Sequence, residues 1–139
     1  MYAVEFAKLW HKLSKEMKHH MESSLSPSLT ESQLVVLEFI MNNDRVKPSD
    51  LIEFLSTTPA AVTTLIDRME KNELIVRERD SQDRRIVWIH LTDKGLAEGK
   101  RGLEIRQQYL QDSLSRISAH NQQVLIYLLG KIAHEKLSS

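Results

Sequence analysis

Apolar residues recur with a helical period along most of this chain, and with a strand period in one place. Phe6, Trp10, Leu13, Met17 and Met21 share one stripe, with His20 on it, and predict a first helix over about residues 2–23. Ser-Ser-Leu-Ser-Pro-Ser breaks that helix at Pro27. Thr30-Glu31-Ser32-Gln33 is a capping box, and the helix it opens buries Leu34, Leu37, Ile40 and Met41 before Asn42-Asn43-Asp44 ends it. Arg45-Val46-Lys47 is placed to add a short strand. Pro48 then opens a helix carrying Leu51, Phe54 and Leu55. After the stretch described next, Thr92 caps a long helix in which Leu96, Leu103, Leu110 and Ile117 recur every seven residues, joined by Leu114. Such a stripe suits packing against another helix along a whole edge. Ser118 caps a last helix with Val124, Leu125, Leu128, Leu129 and Ile132 on its apolar face. Trp10 and the methionines read as core rather than as a ligand box.

The middle of the chain organises the rest. Thr58 is a good N-cap, and Pro59 stands at the first helical position, where its missing N–H costs nothing. Val62, Leu65, Ile66 and Met69 then fall on one face. The opposite face carries Ala60, Thr63, Thr64, Asp67, Arg68 and Lys71. Small and hydroxylated side chains with a long cation are what a helix in a major groove needs. Two strand-like runs follow at 74–79 and 85–91, and in the second Val87, Ile89 and Leu91 alternate with Ile86, Trp88 and His90. Asp80-Ser81-Gln82-Asp83-Arg84 between them is a polar turn. A helix-turn-helix followed by a ribbon with arginines at its tip is a winged helix.

Composition changes this picture in two ways. The 139 residues, 41% hydrophobic, contain no cysteine, so a disulfide framework, a thiolate metal site and a thiol redox switch are all excluded. Nineteen basic side chains are balanced by nineteen acidic ones. Many nucleic-acid binders are basic overall, so any cationic surface here must come from position. In the central stretch Arg68, Lys71, Arg77, Arg79, Arg84 and Arg85 face Glu70, Glu73, Glu78, Asp80 and Asp83. The acids must therefore pair or turn away. The opening residues lack an apolar core of secretory type, and no run approaches a membrane span. A soluble cytoplasmic protein is expected, with no membrane partner.

The central stretch resembles the MarR family of bacterial transcriptional regulators. Its Thr/Ser-Pro start, V-T-x-L-I-D-R-M-E, D-x-x-D-R-R and closing L-T match residues 58–70 and 80–92, and Leu29-Thr30-x-x-Gln33-x-x-Val36-Leu37 matches the opening of the family pattern. The resemblance implies one domain over residues 1–139, mainly α with a small β wing. A winged helix-turn-helix lobe at about 30–92 would be flanked by dimerisation helices at about 2–25 and 92–137. It implies a homodimer on double-stranded DNA, commonly a repressor on a near-palindromic operator, released by a small aromatic or phenolic effector between the terminal helices and the lobe. Thr58, Ala60, Thr63, Thr64 and Arg68 would belong to the recognition helix, with Arg77, as a phosphate contact, and Arg84 on the wing. Arg85 would enter the minor groove, steadied by Asp83. Two positions depart from the family, Ser56 and Glu73, where it usually has Gly. Neither side chain is comfortable at positive φ, and Asn72 offers an alternative left-handed cap.

Each reading has a plainer competitor. Thr63, Thr64 and Arg68 also suit a solvated helix face, and Arg84 and Arg85 suit a soluble hairpin tip. Glu16, His19 and His20 nearly share a helix face with His11 two turns earlier, but the helix after the wing has no histidine before Ile117, so a solvated face is expected and no metal. There is no G-x-S-x-G, phosphate loop or H-E-x-x-H, which leaves no catalytic constellation and no cofactor. The alternative to DNA binding is a winged helix used for protein contacts alone.

Overall fold

The computed structural model describes residues 1–135. Its elements are α1 (Ala3–Leu25), α2 (Glu31–Met41), α3 (Pro48–Leu55), α4 (Pro59–Lys71), β1 (Ile75–Arg79), β2 (Val87–Leu91), α5 (Asp93–Leu114) and α6 (Ala119–Ile132). Two compact units are present, one ending at Ile105 and one beginning at Arg106.

The first unit is built on the core formed by Met21, Leu25, Leu34, Leu37, Leu51, Ile66, Met69, Leu74 and Ile89 with their buried neighbours. The start of α2 is fixed by the expected capping box. Gln33 N–H donates to the Thr30 hydroxyl and Thr30 N–H to the Gln33 side chain, both at 3.1 Å, which also satisfies the buried Gln33. β1 and β2 pair antiparallel with Arg77 opposite Ile89 and Glu78 opposite Trp88. Val46 bridges to Ile89, whose N–H donates to the Val46 carbonyl at 2.8 Å, so the expected third strand is present as a single bridge. β2 begins at Val87 rather than 85, because Ile86 N–H turns back to the Asp83 carbonyl.

One expectation is corrected here. Trp10 is not core: it is 59% exposed and stacks on Phe6, with Leu9 and Leu13 equally open, and only Met17, Met21 and Leu25 of this helix reach the core. The face that α5 buries within this unit is formed by Gly95, Gly99 and Gly102, with Leu103 packed against the core beside them. A Cβ on Gly95 would lie 1.9 Å from the Leu74 carbonyl oxygen, and one on Gly102 2.6 Å from Leu34. Glycine lets this helix lie directly against α2 and the turn after α4, leaving Leu96 exposed on another side. Arg101, on α5, reaches the end of α1. Its guanidinium donates to the Leu25 carbonyl at 3.2 Å and the Ser28 hydroxyl at 2.9 Å, and its Nε to Glu98 at 2.6 Å. Burial works to raise the Glu98 carboxyl, but the bonds from Arg101 and Ser28 outweigh it and hold the group below its ordinary value.

The second unit contains the end of α5 and α6. Ser118 caps α6 as expected, accepting from Asn121 N–H at 3.1 Å, and Gln122 closes the turn by donating to the Leu114 carbonyl at 2.9 Å. Leu110, Ile117, Val124, Leu125, Leu128 and Ile132 are all exposed. Positions 136 and 137 of the expected terminal helix lie outside the described residues.

Candidate nucleic-acid interface

Local chemistry sets the start of α4. Thr58 is extended, at φ −85° and ψ 153°, and its hydroxyl accepts from Ala61 N–H at 3.2 Å. Pro59 follows at the first helical position. Val62, Ile66 and Met69 are buried, which turns Ala60, Thr63, Thr64, Asp67, Arg68 and Lys71 outward, all exposed. The Thr63 and Thr64 hydroxyls donate back to the carbonyls of Pro59 (2.9 Å) and Ala60 (3.1 Å). Their protons are therefore used, while the oxygen lone pairs and methyl groups face out.

Both helices of the helix-turn-helix end on a non-glycine residue in the left-handed region. Ser56 ends α3 at φ 49° and Glu73 follows α4 at φ 62°. Asn72 does not take the left-handed cap, since its φ is −83°. The reason is the cap's geometry. Leu74 N–H donates to the Met69 carbonyl at 2.9 Å and Glu73 N–H to Glu70 at 3.0 Å, a Schellman motif that needs positive φ one residue beyond Asn72. Leu74 and Met69, both buried, supply its apolar contact. The Thr92 hydroxyl donates to the Glu73 carbonyl and Lys94 Nζ to the Asn72 carbonyl at 2.9 Å. The end of α4 is thereby clasped to the start of α5.

The wing tip is ordered by two carboxylates. Asp80 accepts at one oxygen from Gln82 and Asp83 N–H, at 3.0 and 2.9 Å, and at the other from the Trp88 indole N–H at 3.0 Å. The Trp88 bond, followed by the two backbone bonds, holds Asp80 below its ordinary value. Asp83 accepts from Arg85 three times, from N–H at 3.1 Å, Nε at 3.0 Å and Nη2 at 2.9 Å. These bonds lower Asp83 and raise Arg85. Although held, the Arg85 side chain is 90% exposed. Arg79 Nη1 donates to the Arg84 carbonyl at 2.8 Å, bracing the same turn from the strand.

The balance of charge resolves by position. Arg77 pairs with Asp67 and Glu70 of α4, His90 lies 3.3 Å from Glu78, and Asp83 and Asp80 are occupied within the wing. Arg68, Lys71 and Arg84 have no ion pair among the described residues. The structure thus brings together Asp83 and Arg85, leaves Arg68 and Arg84 open, and ties Arg77 to the helix. A concavity of about 680 Å³ opens beside α4, with Thr30, Gln33, Leu55, Leu65 and Arg68 on its walls. His20 lies 3.4 Å from the Ser24 hydroxyl, and no three His, Asp or Glu side chains converge on a metal position among the described residues.

Sequence reasoning missed Trp88, Arg45, Lys47 and Arg79. The Arg45 guanidinium lies 4.5 Å and Lys47 Nζ 5.9 Å from the Trp88 ring centre. A tryptophan at an outward position of a strand, three residues from the tip arginine, was the available signal.

Comparison with known proteins agrees with this geometry. A family model described as the MarR family matches residues 29–87. The HTH-type transcriptional repressor MdtR of Bacillus subtilis is 30% identical over 125 residues, covering 90% of this chain and 79% of that protein. The MepR–DNA complex of Staphylococcus aureus superposes with a TM-score of 0.78 at 25% identity, over 93% of this chain and 96% of that one. A mutant of Escherichia coli MarR complexed with operator DNA gives 0.75 at 27% identity, over 93% and 94%. These relatives are transcriptional regulators rather than enzymes. Among the described residues no helix is long and apolar enough to cross a membrane.

Proposed function

The chain belongs to the MarR family of DNA-binding transcriptional regulators, and from that premise we propose that it is a cytoplasmic repressor acting as a homodimer. Each subunit lays α4 in the major groove of a near-palindromic operator and its wing along the adjacent minor groove. A small aromatic or phenolic effector releases it. The observation that carries this reading is the wing tip: a guanidinium held on Asp83 by two hydrogen bonds, with a third from the Arg85 backbone N–H, and a side chain still 90% exposed, beside a helix whose Arg68 and Lys71 have no ion pair among the described residues. A narrow minor groove concentrates negative potential and attracts such an arginine.

The roles divide accordingly. Thr58, Ala60, Thr63, Thr64 and Arg68 face base edges and neighbouring phosphates, and Arg84 and Arg85 serve the minor groove with Asp83 as support. Arg77 acts differently from a simple phosphate contact. By pairing with Asp67 and Glu70 it offsets one of the two negative charges that would otherwise face the phosphate backbone. Repression itself is supported by the description of MdtR as a repressor. The test is selection of a preferred duplex from a random library, followed by fluorescence anisotropy on it. A near-palindrome bound by two subunits is expected. Selection yielding no preferred sequence would overturn the proposal.

A further inference from the structure

Taking the wing as a minor-groove element, we propose that Trp88 is its positioning residue, a strut that fixes the turn from which Asp83 presents Arg85. The inference rests on the functional reading above and goes beyond it by naming what holds the wing in shape.

The tip, residues 80–86, leaves the sheet and has little apolar cover of its own. Ser81, Gln82, Arg84 and Arg85 are all exposed. Its shape depends on Asp80, whose N–H donates to the Ile86 carbonyl at 2.9 Å and closes the loop's base. One carboxylate oxygen of Asp80 gathers the Gln82 and Asp83 N–H groups, which sets the direction in which the Asp83 side chain leaves the turn. The other oxygen is held by the Trp88 indole N–H at 3.0 Å. Trp88 therefore controls the rotation of the carboxylate on which the turn is built.

The strut is itself anchored. Ile89, next to Trp88, is buried and bridged to Val46, so the segment around Val46 runs beside β2. Alternation along both strands puts Arg45 and Lys47 on the same side as Trp88. The Arg45 guanidinium lies 4.5 Å and the Lys47 ammonium 5.9 Å from the ring centre, within cation–π range. The ring is half-buried between the Val46 segment and the hairpin. A path of direct contacts thus runs from the residues preceding α3, through Trp88 and Asp80, to Asp83 and Arg85. A tip ordered before binding avoids the cost of ordering it on the duplex.

The test is a double-mutant cycle, Trp88→Phe against Arg85→Ala, read as affinity for one duplex by anisotropy. Phenylalanine keeps an aromatic face for Arg45 and removes the N–H together with the indole's second ring. Arg85→Ala is expected to weaken binding roughly 5- to 100-fold per subunit. Trp88→Phe alone should weaken it roughly three- to tenfold, and by less than twofold when Arg85 is already alanine. Should Trp88→Phe fold poorly by thermal denaturation, Asp80→Asn takes its place with the same expected pattern. Carbon-detected NMR titration should also show the Asp80 carboxyl moving up towards its ordinary range in Trp88→Phe, which a merely space-filling tryptophan would not cause. Wild-type affinity in Trp88→Phe, with Arg85→Ala impaired, overturns the strut and leaves the wing reading intact. An equal loss from Trp88→Phe in both backgrounds shows a general structural role and also overturns it. No effect of Arg85→Ala removes the wing reading, and the strut with it.

Discussion

Arg85 and Arg77 both hold carboxylates, but at opposite faces of the problem. Arg85 is exposed and borrows Asp83 for direction, while Arg77 is shared between Asp67 and Glu70 and offsets one of their two charges. Arg85→Ala is expected to weaken binding to most sequences by about 1–3 kcal/mol per subunit and to flatten the salt dependence, since a cation near phosphates is lost. Arg68→Ala is instead expected to change which duplex is preferred, checked by anisotropy on a matched and a mismatched site. The wing carboxylates also predict a pH response. Asp80 and Asp83 are held below the ordinary 3.8, so their contribution is complete above the unfolded value and is lost as pH falls through the lower folded values. The Trp88 indole N–H resonance should therefore stay constant from neutrality to pH 5 and move only below about 4. Glu73, at φ 62°, carries a strain that glycine relieves. Glu73→Gly should stabilise the fold by about 1 kcal/mol in urea denaturation, the left-handed penalty outweighing the added chain entropy.

At the scale of elements, the legible features were those decided by neighbours in sequence. The Thr30–Gln33 box, the Thr58, Thr92 and Ser118 caps and the alternation of the second strand each need only a few residues to form, and all are present. Features decided across the fold were less legible. Asn72 is the better left-handed residue by type, yet the Schellman bonds to Met69 and Glu70 place that conformation on Glu73. The leucine repeat of α5 drew attention from its glycines, whose value exists only when another backbone lies against them. Trp10 has the right period for core but finds no cover within its own unit. At the site, Asp83 and Arg85 were legible as a pair, whereas Trp88 acquires its meaning from Asp80 and Arg45, eight and forty-three residues away. The glycine face gives a sharp prediction. Gly95→Ala should cost about 3 kcal/mol or more, because its Cβ meets the Leu74 carbonyl, which already accepts from Thr92 N–H. Gly99→Ala meets the flexible Met41 sulfur at 2.9 Å and should cost about 1 kcal/mol, so thermal denaturation of the two separates backbone from side-chain crowding.

On the scale of the whole molecule, the exposed apolar side chains of α1 and α6 require cover. Phe6, Leu9, Trp10 and Leu13 in one helix, with Ile126, Tyr127, Leu128 and Ile132 in the other, exceed what a lone soluble chain usually leaves open. A second copy is the occupant we propose, and sedimentation at micromolar concentration should give a dimer. Two recognition helices related by a twofold axis would then read half-sites about 10 bp apart. Whether these surfaces meet duplex DNA is decided by the salt dependence of affinity for a selected duplex. Counterion release predicts a linear fall of log K with log salt, amounting to about 10³-fold or more between 50 and 200 mM if six or more phosphates are neutralised per dimer. An affinity unchanged across that range would rule out duplex DNA as the partner and leave a winged helix that contacts proteins alone.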